Sequence, residues 1–422
     1  MPYRVAAIDI HKKVHMVVVA TMAEEVEDAT AAAVELECRK FGAGASERKH
    51  LQAWLQQQQV QEVVMESTAQ DWKSVWLEWE PHFPKLHLAQ AQSNHRAPRG
   101  RKNDFRDAKR LGRRLLAGEL MLSYVPEPEQ RKWRLMTRGR LQLVRDRVRL
   151  QSQLEGLLEE ARIKLGTVIS DLLGVSGRRI LKALSEGTTD PAQLAALRDP
   201  ALRCTPEQLT DALNGSPDPC HLQLLKLQLQ RLTLLDEQIN QLSRMGAEAL
   251  KSHQAVVLRV AKIPGWGPES AQQFIAEVGV DAEAFETPEA FASWAGVCPG
   301  SNVSAEENHS SRCPKGNRYV RRLLTEASQA AVKKKGSHFQ NVFKRFLPKL
   351  GYNGAIGVVR HRMARLLWKI LHQGVEYVER GQDTTPLARK RRAQRLAQAL
   401  RKLGYTVTLA DLNLQPAPEA TA

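Results

Sequence analysis

Cysteine is scarce in this chain. The 422 residues hold five, Cys38, Cys204, Cys220, Cys298 and Cys313, and no two of them form a C-x-x-C pair. That number and spacing argue against both a disulfide framework and a cysteine-based zinc site. The thiols are those expected in a reducing compartment. Long apolar runs are also missing, since none approaches the roughly 18 residues that a membrane span needs. The opening MPYRVAAIDIHKKVH meets charge too early to be a signal peptide, so a cytoplasmic protein with no membrane partner is expected. Aromatic residues make up only 5% of the chain, and no basic segment sets its charge against an aromatic face, as a membrane-surface helix would. Acid is the remaining shortage. Against 62 Lys and Arg there are 46 Asp and Glu, a net charge of +16, which calls for a polyanionic partner.

What the chain has in abundance is base, and it is concentrated. The stretch Arg96 to Arg114, RAPRGRKNDFRDAKRLGRR, carries nine Lys or Arg residues and two acids, Asp104 and Asp107. Three apart, the two acids share one face of a helix. A solvated basic helix has no use for that pairing, whereas a nuclease does. Arg96, Arg99, Arg101, Lys102 and Arg106 would hold the polyanion, and the carboxylates would hold the divalent ion that assists cutting.

The rest of the N-terminal third supplies further acids in order. RVAAIDIHKKVHMVVVA reads as two antiparallel strands, Val5 to Ile10 and Val14 to Ala20, turning at His11 to Lys13. Asp9 lies inside the first strand, where a charge is costly unless it binds something; a turn hydrogen bond from a strand-end Asp is the alternative. His11 reads as a turn residue. No strand is easily placed between Glu25 and Gly42. A helix follows over about 46–59, then a strand in QEVVMEST ending at Glu66, a short strand at Lys85 to Gln90, and the helix of Asp104 and Asp107 reaching about Ala117. Strand acids followed by a D-x-x-D helix form the ribonuclease-H-like arrangement, in which carboxylates converge on Mg²⁺ or Mn²⁺.

Beyond Glu129 the pattern turns helical. Val144, Val148, Leu154, Leu158, Ala161 and Leu165 mark one amphipathic helix, and Leu225, Leu232, Leu235, Ile239 and Leu242 a second with a heptad seam. With a small helical insert over about 166–219, they suggest an antiparallel coiled-coil arm for dimerisation or for spanning a duplex; an intramolecular bundle fits the pattern equally. AKIPGWGPESAQQFIAEVG (261–279) reads as helix, tight turn, helix. Gly265 and Gly267 there would let backbone amides approach a phosphate; an ordinary helical turn is the alternative. In residues 291–328 a polar, loop-like half with Ser301, Ser304, Ser310 and Ser311 precedes a basic helix bearing Arg318, Arg321 and Arg322, with Lys315 ahead of it. A loop serine beside arginines can serve as a phosphoryl nucleophile, and spacing alone does not choose among the four. Lys333 to Lys335, Arg345, Arg360 and Arg365 continue the basic theme on two more helices. A last basic helix from Arg389 to Lys402 precedes an end expected to be disordered.

Four motifs give the chain a resemblance. AIDIHKK, VVMESTAQDWKSVW, GRKNDFRDAKRL and the block SWAGVCPGSNVSA with KGNRYVRRLL are similar, in order and over about residues 3–375, to those of insertion-sequence transposases of the IS-one-ten (IS110) type, in their IS-eleven-eleven branch. The resemblance implies a prokaryotic, nucleoid-associated DNA recombinase. It implies a RuvC-like domain whose DEDD metal centre maps onto Asp9, Glu66, Asp104 and Asp107, and a transposase domain whose nucleophile maps onto Ser304. It also implies donor and target DNA as substrates, a structured guide RNA as partner, and a homodimer or homotetramer. The chain departs from the pattern at Ala69 and Asn103, and it places Glu306 and Glu307 where the family carries basic residues.

The expected architecture is therefore α/β plus all-α. A RuvC-like domain occupies 1–125, a coiled coil with helical insert 126–250, a serine transposase domain with a helix-hairpin-helix 251–385, and a basic helix and tail 386–422. Two other functions are compatible with the residues: a RuvC-like junction nuclease that uses water and leaves Ser304 structural, and a non-catalytic nucleic-acid-binding protein. Four clustered acids in a basic groove weigh against the last, since they would repel DNA unless they held a cation.

Overall fold

A computed structural model describes residues 3–22, 34–66, 70–91, 104–300, 302–304, 307–310, 312–379, 381 and 386–409. The chain divides into two compact units, Met1–Pro126 and Glu127–Ala422.

The first unit is a five-stranded sheet with helices on both faces. Strands β1 (Tyr3–Ile10), β2 (Val14–Met22) and β3 (Val34–Gly42) form an antiparallel meander, while β4 (Glu62–Glu66) and β5 (Leu86–Ala89) add in parallel on the other side of β1, giving the order β3-β2-β1-β4-β5. Helix α1 (Ala45–Gln57) joins β3 to β4, α2 (Trp72–Trp79) joins β4 to β5, and α3 (Asp104–Leu116) follows. Mixed pairing of this kind needs both faces covered, and the pleat shows how that is done. Ala6, Ile8, Ile10, Val63 and Met65 point into a core with Leu51 and Leu55 of α1 and Trp76 and Trp79 of α2. The alternate residues Ala7, Val64 and Ala89 cluster with Leu111 of α3 on the opposite face. The order and the segregation of helices are those of a ribonuclease-H-like domain.

The expected β1–β2 hairpin, β4, β5 and α3 are present. β3 fills the place where no strand was legible: VELECRKFG alternates charge with small or apolar residues and sits at the sheet edge, where charged side chains protect an unpaired ladder.

Among the described residues the second unit is helical, apart from one hairpin. Helices α4 (Pro128–Glu160) and α9 (Pro219–Ala249) run antiparallel, since Arg140 reaches Ser243 and Arg147 reaches Asp236, seven residues forward in one and seven back in the other. Between them α5 (Leu165–Val168), α6 (Val175–Ser185), α7 (Pro191–Ala196) and α8 (Pro206–Leu213) share their core, with Leu150, Leu154, Leu157 and Leu158 meeting Leu225, Leu232 and Leu235. The expected seam of α4 is corrected here. Val148 is 57% exposed, because it lies about 200° around a 3.6-residue helix from the buried Leu150. The helix also stops at Glu160 rather than at Leu165, with Arg162 in the left-handed region at φ 61°.

A second core follows, built from α10 (Gln254–Ala261), α11 (Pro268–Val278), α12 (Pro288–Trp294), α13 (Arg318–Ala331) and α14 (His338–His372), which kinks at Gly351. Trp133 of α4 is part of this core. Helix α15 (Pro386–Lys402) is the basic C-terminal helix. Lys333 to Lys335 lie in the turn after α13, not on a helix. The expected disordered end falls mostly outside the described residues. Among those residues no helix is long and apolar enough to cross a membrane.

Asp236 fastens the first of these cores. It accepts from Arg147 (2.7 Å) and from Arg178 (2.6 Å), so one carboxylate ties α4, α6 and α9. Burial works to raise its pKa, and the hydrogen bonds from Arg178 and Arg147 outweigh it, leaving the carboxyl below its ordinary value. A depressed folded-state pKa stabilises at pH above the ordinary carboxylate range and is lost as pH falls through the lowered value. Asp236→Asn should therefore cost about 1–3 kcal/mol at neutral pH. In denaturant unfolding, the gap to the wild-type protein should close on acidification; a gap that widens in acid would refute the assignment.

Candidate active site

Two groups of candidate residues stand out, one in each unit.

In the first unit the strand register places the acids. The paired run between β1 and β4 ends at Ile8–Met65, so Asp9 and Glu66, the next residue on each strand, stand side by side on neighbouring strands. Two residues on from Ala7 and Val64, they share the face of those residues, the one covered by α3. Asp9 is only 8% exposed, and its Oδ2 lies 3.1 Å from His11 Nε2. His11 was expected only to make the turn, and its amide does donate to Val14 O. Its ring also meets Asp9 from the turn that follows β1, a contact with no periodic signal in the sequence. Asp107 lies one turn before Leu111 on α3, with Arg110 Nη2 3.3 Å from its carboxylate. Asp104 is the first residue of α3; its side chain is outside the described residues. Among those residues no three acidic, His or Cys side chains gather closely enough to hold a metal alone. The register thus brings Asp9 and Glu66 together and sets Asp107 on the helix over the same face. Arg106 on α3 is exposed, whereas Arg96, Arg99, Arg101 and Lys102 lie outside the described residues.

In the second unit Ser304 ends a hairpin, β6 (Asn302–Ser304) paired with β7 (Glu307–Ser310), where a polar loop was expected. Ser304 pairs with Glu307 and Asn302 with Ser310. The two limbs keep company down to their base. A Cβ on Gly300 would run into Arg312 O, and one on Gly296 would stand 2.6 Å from Gly316 N and 2.8 Å from its Cα. Gly296 is also left-handed at φ 67°. These glycines form a neck in which two backbones touch, so the serine is carried at the far end of a narrow, two-limbed projection. The neck is closed by Asn317, whose amide donates to Trp294 O at 2.9 Å and whose side chain accepts from Tyr319 N and Val320 N to cap α13. Sequence reading passed over Asn317, although N-R-Y-V ahead of a basic helix is an N-cap signal.

The arginines of α13 divide. Lys315 and Arg318 are exposed, with Arg318 stacked over Tyr319. Arg321 donates to Pro314 O of the neck, and Arg322 is held by Glu326 and Gln273. Gly265 lies in the turn between α10 and α11 at φ 87°, where a Cβ would meet Ala327 O and C of α13; its freedom serves helix packing. Gly267 caps α11, its amide donating to Ser270 Oγ.

Comparison with known proteins adds three matches. A family model for DEDD-type transposases of the IS110 kind matches residues 6–163, taking in Asp9, Glu66, Asp104 and Asp107. The model described as the transposase IS116/IS110/IS902 family matches residues 258–344, which include the hairpin and α13. Together they cover more than half of the chain. A probable family 20 transposase of Pseudomonas aeruginosa (strain PAO1) is 28% identical over 287 residues, 66% of this chain and 75% of the relative.

The neck makes a definite demand on Gly296. Gly351 has nearly the same φ, 66°, with ψ −179°, and nothing lies within 4 Å of the place a methyl group would take there, so Gly351→Ala should incur only the backbone cost of about 1–3 kcal/mol. Gly296→Ala adds a collision with Gly316 and should cost about 3 kcal/mol or more. Equal losses in denaturant unfolding would show that the backbones do not touch.

Proposed function

Because the chain belongs to the IS110 family of transposases, enzymes that cut and rejoin DNA, we propose that it recombines insertion-sequence DNA through a covalent phosphoserine formed at Ser304, assisted by Mg²⁺ or Mn²⁺ held at Asp9, Glu66, Asp104 and Asp107. The observation that carries the metal half is the register. Asp9 and Glu66 stand on adjacent strands of one face, where like charges repel, and hard carboxylate oxygens so placed suit a divalent ion. A divalent ion held by these carboxylates would supply charge neutralisation at the scissile phosphate and its leaving oxygen. His11 orients Asp9, and Asp104 and Asp107 approach from the start of α3.

The serine half is supported by position: a hydroxyl-bearing residue at the end of a hairpin, with exposed Lys315 and Arg318 near its base for the DNA backbone. Ser304 Oγ attacks phosphorus, the new O–P bond replaces the bond to one sugar oxygen, and that oxygen leaves as a hydroxyl with the proton that serine gives up. Attack by the freed hydroxyl of another strand reverses the exchange and seals the joint. No water is consumed, so the bond energy is conserved for rejoining.

The partners follow from the family and from charge. Donor and target DNA are the substrates, a structured guide RNA selects the sites, and the antiparallel α4–α9 pair acts as a coiled-coil arm joining subunits into a homodimer or homotetramer. Arg96, Arg99, Arg101, Lys102 and Arg106 complete the nucleic-acid surface, whereas Arg321, Arg322, Gly265 and Gly267 are taken up by contacts within the protein.

Ser304→Ala should abolish both the protein–DNA adduct and strand joining, by on the order of 10³-fold or more. Asp9→Ala should abolish metal-dependent cutting to a similar degree. Denaturing gels of labelled DNA incubated with Mg²⁺ measure both. Undiminished cutting by Ser304→Ala would instead establish a water-using nuclease.

A further inference from the structure

We infer that Glu277 is a positioning residue for the serine hairpin, locking the hairpin's base to the long helix α4 through a single buried carboxylate. The inference rests on the reading of Ser304 as nucleophile for its functional half.

Glu277 lies in the last turn of α11 and is only 2% exposed. A carboxylate so buried is costly unless every lone pair is used, and here the donors come from two directions. From α4, Arg138 makes a two-pronged contact, Nε at 2.7 Å and Nη2 at 2.8 Å, and Arg134 Nε approaches to 3.9 Å. From the hairpin base, Asn317 Nδ2 donates to Glu277 Oε2 at 3.1 Å.

Asn317 is fully committed by that bond. With its Nδ2 on Glu277, its Oδ1 is left to cap α13, and its backbone amide closes the neck on Trp294 O. The side-chain amide cannot flip without losing both the cap and the carboxylate. Arg138 adds a second hold, its guanidinium lying 4.4 Å over the ring of Tyr319, two residues beyond Asn317. The carboxylate therefore sets the angle at which the neck leaves the helical core.

Stability alone gives no reason for the arrangement. Apolar residues of the same volume commonly serve a fold as well as a buried ion pair does. What an ion pair provides is direction, and every partner of this one belongs either to the first turns of α4 or to the residues that begin α13.

The logic permits a polarity swap. In Glu277→Gln the new amide nitrogen meets a donor whichever way it turns, Arg138 Nε on one side or Arg138 Nη2 and Asn317 Nδ2 on the other. In Asn317→Asp two carboxylates face each other. When the two substitutions are combined, the amide at position 277 donates to the carboxylate at position 317, which still caps α13, a role that aspartate fills well.

The test uses the full chain with Mg²⁺ and labelled DNA, reading three things: adduct rate at saturating DNA, DNA affinity, and amide hydrogen exchange over residues 312–320. Each single variant should slow adduct formation about 10- to 100-fold, leave affinity within about twofold, and speed exchange in that segment. The double variant should recover part of both losses, because Arg138 Nη2 shares Oε2 with Asn317 and its half of the fork is not rebuilt. Arg138→Lys, which keeps charge and loses the fork, should repeat the slower adduct formation if Glu277→Gln folds poorly. Wild-type exchange at 312–320 in the folded single variants would overturn the inference, as would losses that follow the melting temperature and are not recovered in the pair. Should Ser304→Ala itself still form adduct, the nucleophile reading fails, and the exchange data alone decide whether Glu277 orders the hairpin base.

Discussion

Two carboxylates on adjacent strands are the constraint from which the first unit takes its shape. Parallel neighbours stand about 4.8 Å apart, and the register of β1 and β4 leaves Asp9 and Glu66 at that spacing just where the paired run stops. Inside the sheet the same pair would be untenable, for Ala7, Ile8, Val64 and Met65 are wholly buried. There the β1–β4 register stops while Asp9 stays paired with Met16 of β2 and Glu66 with Ala89 of β5, and polar partners come within reach, as His11 is for Asp9. The charge is thus placed near the end of the strands, although Ile10 beyond Asp9 is still buried on the opposite face. Helix α3 repeats the division along its own length, with Ala108, Leu111 and Gly112 against the sheet and acids in its first turn.

The second unit solves a different problem, holding a short projection steady with few side chains. A hairpin of three- and four-residue strands has little stability of its own. Its base is therefore built from direct backbone approach, Gly296 on Gly316 and Gly300 on Arg312, where a side chain would hold the limbs apart. Glycines weaken a chain by the freedom they allow before folding, and the polar network of Asn317, Glu277 and Arg138 offsets this by fixing both the cap of α13 and the exit direction of the neck. Arg321 closes the same region from the other side by donating to Pro314 O.

How far the fold could be read from sequence depended on whether a signal was local. β1, β2, β4 and α3 carry their own patterns, of alternation or of apolar runs ending in an acid, and those elements were legible. β3 was not, because an edge strand that protects itself with Glu35, Glu37, Arg39 and Lys40 looks like a surface loop. The serine hairpin hid for a related reason: its pairing depends on glycines twenty residues apart meeting at the neck, a contact with no local signature. On α4, Val148 entered the expected seam by composition while Leu150, two residues on, is the residue that is buried. The candidate acids stand out through the pattern of their elements, whereas His11 and Asn317 are marked by what they touch.

Charge shows the same difference between counting and placing. A surplus of base over acid says that a polyanion is wanted, but many of the arginines are occupied within the protein. Arg134 and Arg138 hold Glu277, Arg147 and Arg178 hold Asp236, Arg140 pairs with Glu269, and Arg322 with Glu326. Arginine suits that internal work because its planar fork satisfies a carboxylate with two parallel bonds. The positive surface is what remains after these pairs are closed, among it Arg106, Lys315 and Arg318. Because two of these acids, Glu277 and Asp236, each take two arginines, the internal pairs use up base faster than acid. What a nucleic acid meets is therefore decided by which basic side chains are left over, and the ratio of base to acid in the sequence does not say which those are.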